Sequence, residues 1–265
     1  MLSLVGSSRQ AAARQQTSRL FAVIGIPAEI APIETKLEAP TSTRIQGIVF
    51  TSGTIDGRRI VAARAGVGKV NAAMAATLLL DHFSPSVVIF TGTAGAVDSD
   101  LNPGDVLIGA AVGYHDFGDF AAGGFVRSTP RNPVSGRLDP AFFPADPELL
   151  AAARRAAATV KPSPGPDRGT NPAPKIREGR IVTGDAFVAN PARRAELRRE
   201  LNASAVEMEG AAVAQVCARF GVPAIVIRSI TDHADGDAEN SYERYAAVAS
   251  RNAADLALAT IRELK

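Results

Sequence analysis

Five times along this sequence a short apolar run breaks off into a polar or glycine-bearing segment, and stretches long enough for helices lie between the runs. LFAVIGI (20–26) leads to Glu29, and VVIF (87–90) leads to Thr91-Gly92-Thr93-Ala94-Gly95. IREGRIVT (176–183) leads to Gly184-Asp185-Ala186-Phe187, the short run from Ala203 ends in Val206-Glu207-Met208-Glu209, and PAIVIRSI (223–230) ends in Thr231-Asp232. Strands alternating with helices predict an α/β chain built on a mainly parallel, helix-flanked sheet. Ligands of such sheets bind where strands end. The five segments are therefore candidates to converge on one mouth.

The rest of the chain fits that plan. IQGIVFTSG (45–53) and RRIVAARAG (58–66), joined by the Asp56-Gly57 turn signal, read as a hairpin. A helix is expected from about Lys69 to His82, apolar around most of its circumference and hence packed on several sides. DVLIGAAVGY (105–114) adds a strand. Further helices are expected at 146–159, opened by Asp146-Pro147, and at 191–201, 209–220 and 241–264. Residues 115–145 read as a long loop, and the five prolines of 160–174 mark a flexible surface excursion rather than a domain boundary. A chain of this length supports one large core, with about 70% of its extended surface buried. Residues 20–265 are thus expected to form one domain.

Composition removes several function classes. With 29 Lys plus Arg against 27 Asp plus Glu, the net charge of +2 is far from the basic stripe that nucleic acid requires. No apolar run approaches the roughly 18 residues that cross a bilayer, so a soluble chain is expected, with no membrane partner. The only cysteine, Cys217, lies in the apolar run VAQVCARF and is expected to be buried. Residues 1–19 carry Arg9, Arg14 and Arg19 and no acidic residue; they read as a flexible extension. A cytoplasmic location is expected, although a basic leader of this kind is compatible with targeting.

Several longer motifs are more specific. AGVGKVNAAMAATLLLDHF, VVIFTGTAGAV, VTGDAFV, AVEMEGAAVAQVCARFGVP and RSITDHAD occur in this order over about residues 20–264. Together they resemble the nucleoside phosphorylase and nucleosidase superfamily, and most of all the 5'-methylthioadenosine/S-adenosylhomocysteine nucleosidases. The resemblance implies a single three-layer α/β/α domain around a mixed, twisted sheet, assembled as a homodimer, and needing neither cofactor nor metal. Carried over residue by residue, it makes Asp232 the acid beside the purine N7, Glu209 the group that grips the ribose hydroxyls and Glu29 the group that orients water. Gly25-Ile26 stands where the family has Ala-Met before that glutamate. Phe187 matches the aromatic residue stacked on the base, Met208 lies beneath the sugar, and Ile26 and Tyr242 line the 5'-substituent pocket. Thr93, Ala94, Gly95, Val206, Glu207 and Thr231 complete the expected binding positions. The loop around Tyr114-His115-Asp116 resembles one that reaches a neighbouring subunit's site.

The chemistry independently needs these residue types. Breaking an N-glycosidic bond leaves electron density on the base and positive charge on the sugar, so a proton donor must meet the base and a carboxylate must serve cation and water. Asp232 would need a raised pKa to donate a proton near neutrality, and Glu29 must be ionised to accept one. A carboxylic acid can also meet the 6-amino group of adenine, which favours 6-aminopurines. Glu207 and Glu209 are two residues apart; Glu207 is read as structural or as a support for the site. Asp232-His233-Ala234-Asp235 lacks the second histidine cluster a metal site would want, and Gly66-x-Gly68-Lys69 lacks the spacing and following Ser/Thr of a phosphate loop. Where the superfamily's phosphorylases commonly carry a phosphate-binding arginine, two residues ahead of Gly92, this chain has Phe90. Arg64 and Arg228 are the nearby candidates to supply a cation instead. Water is the expected nucleophile; the alternatives are phosphorolysis, or a noncatalytic binder like the storage-type plant relatives.

Overall fold

A computed structural model describes residues 19–167 and 173–264. The expected extension at 1–19, apart from Arg19, and the centre of the proline-rich excursion lie outside the described residues.

The chain opens with β1 (Leu20–Gly25), α1 (Pro27–Glu34), β2 (Glu38–Ile45), β3 (Ile48–Ile55), β4 (Arg58–Arg64), α2 (Lys69–Phe83) and β5 (Val87–Ala96). It continues through β6 (Val106–Tyr114), β7 (Gly118–Ala121), β8 (Gly124–Arg127), β9 (Phe143–Pro144) and α3 (Pro147–Ala157). It closes with β10 (Ile176–Thr183), α4 (Pro191–Leu201), β11 (Ala203–Glu207), α5 (Gly210–Phe220), β12 (Ala224–Asp232) and α6 (Ala238–Glu263).

Ten strands form one mixed sheet in the order β11-β10-β6-β12-β5-β1-β4-β3-β2, with β9 on β6. β1, β4, β5 and β12 run parallel where they pair, as do β6, β10 and β11, and the two groups meet antiparallel at β12–β6. β11 also pairs antiparallel with the end of β5, through Ala205↔Ala96 and Val206↔Gly95. That pairing bends one end of the sheet into a ring of five strands. The fold is the expected single three-layer α/β/α arrangement: α2 and α5 cover one core, rich in alanine for close approach, and α1, α3 and α6 cover the other. The small side chains on α2 (Ala72, Ala75, Ala76) and α6 (Ala253, Ala254, Ala257) are fully buried, so helix backbones sit close to the sheet.

The structure departs from the sequence reading in three places. β2 is a strand, although nearly all its side chains are exposed and Pro40 lies within it; it is an edge strand, where proline and solvation are tolerated. The interval 115–145 is not one loop, since β7 and β8 pair as a separate hairpin and β9 returns to the sheet. α2 buries one face only, leaving Val70 and Met74 78% and 42% exposed, because β-sheet and α5 contact it from one side. Cys217 is buried as expected, and burial pushes its thiol up to about 12.

Candidate active site

Strand register brings the acids together. Gly95 on β5 lies opposite Asp232 on β12, and Thr183 on β10 lies opposite Glu207 on β11. α1 begins directly after β1 and carries Glu29 in its first turn. These ends surround a cavity of about 440 Å³. The expected catalytic and substrate-binding residues all line it, whereas Tyr114, His115 and Asp116 do not: the acids are Glu29, Glu207, Glu209 and Asp232, with Thr93, Ala94 and Gly95 on the β5 side. Val206, Met208 and Thr231 come from the neighbouring strand ends, and Ile26, Phe187 and Tyr242 form the outer wall, with the Phe187 and Tyr242 rings edge-on at 6.3 Å. Val67 and Glu239 also line it and were not read from the sequence.

Glu29 is held by three donors. The Thr93 N–H and hydroxyl donate to Oε1 at 2.8 and 2.9 Å, and the Ile26 N–H donates to Oε2 at 3.2 Å, closing the first turn of α1. Burial pushes its carboxyl above the ordinary value, opposed by the charge of Arg228 and by the Thr93 bonds. Once ionised, such a carboxylate is a stronger base than an exposed one. Asp232 accepts from the Thr231 hydroxyl at 2.7 Å and from the Ala234 N–H at 2.8 Å. Ala234 adopts a positive φ of 50° to turn its N–H back, and a side chain at Gly95 would come within 2.7 Å of Asp232 Oδ1. Burial raises the Asp232 pKa, and these hydrogen bonds only partly offset it. Its environment is therefore that of a proton donor.

Glu209 immediately precedes α5 but makes no side-chain cap bond there; its carboxylate takes the Gly68 N–H at 2.8 Å, and Gly68 has φ +93°, a conformation suited to glycine. Burial first, and then repulsion from Glu207, raise the Glu209 pKa to about 7. Glu207 is bonded to the Thr183 hydroxyl and to Arg228, and its Oε2 accepts from the N–H groups of Glu209 and Gly210 at 3.0 and 2.7 Å. With four donors on it, Glu207 organises the cavity wall rather than offering a free acceptor.

The residue that sequence reasoning placed differently is Arg228. It is fully buried, joined to Glu207, 3.3 Å from Glu209 and 3.7 Å from Glu29, with its guanidinium 4.3 Å from the Phe90 ring centre. Burial opposes its charge, but the three carboxylates together raise its pKa. Arg228 thus pairs with carboxylates through Nη2, its Nε and Nη1 making no hydrogen bond among the described residues, and Arg64, on the surface, pairs with Glu34 at 2.8 Å; neither lines the cavity. The signal was present: a lone charge inside the otherwise apolar run PAIVIRSI must be paired when buried. Gly92 makes room for this arrangement, since a Cβ there would fall onto the guanidinium and lie 2.5 Å from Glu29 Oε2. Gly92→Ala is expected to lower stability by about 1–3 kcal/mol in chemical denaturation and to disrupt the site; a stability equal to the parent's would show that the pair can move aside.

A cavity walled by buried acids, at the strand ends of an α/β/α domain, defines an enzyme built for acid–base work on a small molecule. The comparisons give the family: residues 19–262 match the model of the phosphorylase superfamily, and the chain belongs to it. A 5'-methylthioadenosine/S-adenosylhomocysteine nucleosidase of Shewanella halifaxensis is 37% identical over 237 residues, covering 89% of this chain and 95% of that one. The structure of the 5'-methylthioadenosine/S-adenosylhomocysteine nucleosidase from Colwellia psychrerythraea in complex with adenine superposes with a TM-score of 0.79 at 33% identity, covering 93% and 96% of the two chains. Futalosine hydrolase of Helicobacter pylori superposes at 0.77 with 30% identity, covering 93% and 98%.

Proposed function

We propose that this chain hydrolyses the N-glycosidic bond of adenine nucleosides carrying a 5'-thio substituent, 5'-methylthioadenosine and S-adenosylhomocysteine, with water as the nucleophile. The observation that carries the reading is the placement in one cavity of two buried carboxyls with raised proton affinity, Asp232 and Glu29, on a scaffold shared with nucleosidases. Asp232 gives its proton to N7 as the C1'–N9 electron pair withdraws into the base. The ribosyl cation is then met by water, whose proton passes to ionised Glu29 as the C1'–O bond forms. Glu209 accepts from the ribose hydroxyls, Met208 lies under the sugar and Phe187 stacks on the adenine. Adenine and the 5'-substituted ribose leave.

Water rather than phosphate fits the charges. Among the described residues no Lys, Arg or His lines the cavity, and a phosphate dianion would need charge-assisted donors there. Base release from 5'-methylthioadenosine is expected to proceed equally with and without inorganic phosphate; formation of a ribose 1-phosphate product would overturn hydrolysis. The reading includes a homodimer, supported by the exposed apolar row Val67, Val70 and Met74 that starts at the cavity rim.

A further inference from the structure

All the ionisable side chains lining the cavity other than Tyr242 are carboxylic acids, and four of the five are engaged by the protein. Glu29, Glu207, Glu209 and Asp232 each accept hydrogen bonds from named donors. The fifth, Glu239, lies in the first turn of α6, is exposed, and has no hydrogen bond or ion pair among the described residues. It stands three residues before Tyr242, so both occupy the same face of the helix. Tyr242 in turn touches Phe187 edge-on across the outer wall. On the proposed function, with the base on Phe187 and the 5'-group running toward Tyr242 and Ile26, the carboxylate of Glu239 marks the far end of the 5'-substituent.

We infer that Glu239 selects the 5'-substituent by charge, pairing with a cationic group such as the ammonium of an amino-acid or aminoalkyl tail and disfavouring an anionic tail. This inference rests on the nucleosidase reading and deepens it. The ionised acids behind Glu239 add to the effect, buried Arg228 offsetting part of their charge, so a cationic tail is further favoured and an anionic one further opposed. Glu239 touches no reacting atom; it is a specificity residue.

The test uses three substrates differing only in tail: 5'-methylthioadenosine (neutral), 5'-(3-aminopropylthio)adenosine (cationic) and 5'-(2-carboxyethylthio)adenosine (anionic). Each is assayed with the full chain and with Glu239→Gln and Glu239→Lys. The ratio of kcat/KM for the cationic to the neutral substrate is expected to fall about fivefold in Glu239→Gln, the effect of one partly exposed ion pair, and further in Glu239→Lys. The anionic-to-neutral ratio should rise in the same order, and added salt should shrink both differences. General damage to the fold would scale all three substrates alike and leave the ratios fixed. Unchanged ratios in both variants, with methylthioadenosine still cleaved, would overturn the inference alone. Failure of the parent chain to cleave any of the three would overturn the nucleosidase reading and this inference with it.

Discussion

Asp232→Asn is expected to lower kcat for adenine release by about 10²- to 10⁴-fold, the range for losing a positioned general acid, with a much smaller change in KM. The amide keeps the size of the carboxyl and can still meet Thr231 and Ala234, but its N–H groups are far too weakly acidic to transfer a proton to N7. The pH profile separates this from misfolding. In the parent, Asp232 works protonated, so activity falls as pH rises through its raised pKa; Glu29 works ionised, so activity falls as pH drops through its own. The variant should lose the alkaline limb and keep the acidic one. Its stability should move the opposite way. A carboxyl whose folded pKa lies above its unfolded value contributes most below the unfolded pKa, and that contribution is lost as pH rises through the folded one. At pH 8 the variant lacks this buried charge and should melt no lower than the parent. A rate like the parent's would remove Asp232 from the mechanism.

The second large effect concerns Arg228. Arg228→Met should destabilise the fold by about 3–5 kcal/mol at pH 8, because breaking a buried ion network leaves its partners uncompensated. The sign of the pH dependence follows from the carboxylates. Without the guanidinium, Glu209, already raised to about 7, binds its proton still more tightly in the folded state. The loss should therefore be smallest at low pH and grow as pH rises through that region. Denaturant unfolding at pH 5 and pH 8 measures it, and adding Glu207→Gln to the variant should recover part of the loss at pH 8. A deficit below about 1 kcal/mol, equal at both pH values, would mean that the network contributes no more than a surface pair.

What could be read from the sequence was the part governed by local pattern. Apolar runs gave the central strands, and the polar segments that end them gave the acids, because a strand end is where a polar side chain can leave the core without losing solvent or partners. β2 escaped notice because EAPTSTRI has no apolar face to reveal it; its strand character comes from pairing with β3. The β7–β8 hairpin was obscured in a stretch dominated by Gly and Phe because strands of four residues are too short to show an alternation. The role of Arg228 depends on which carboxylates the tertiary fold delivers to it, and those come from positions 19 to 199 residues away, since 228 − 209 = 19 and 228 − 29 = 199. Glu239 was missed because the closing helix was read from 241, two residues beyond it; only the helix start at Ala238 and the cavity beside it give it a task.

The end of β5 serves two neighbours at once, β12 through Gly95↔Asp232 and β11 through Val206↔Gly95. The stretch Thr91–Ala96 is consequently a keystone in both architecture and chemistry, and a substitution there is judged twice, by assembly of the barrel-like ring and by alignment of the acids. The peripheral strand β2 faces neither test. Evolutionary drift and engineering should accordingly find latitude at that margin and in the long connections, whereas the six residues at the centre tolerate little beyond their present small side chains.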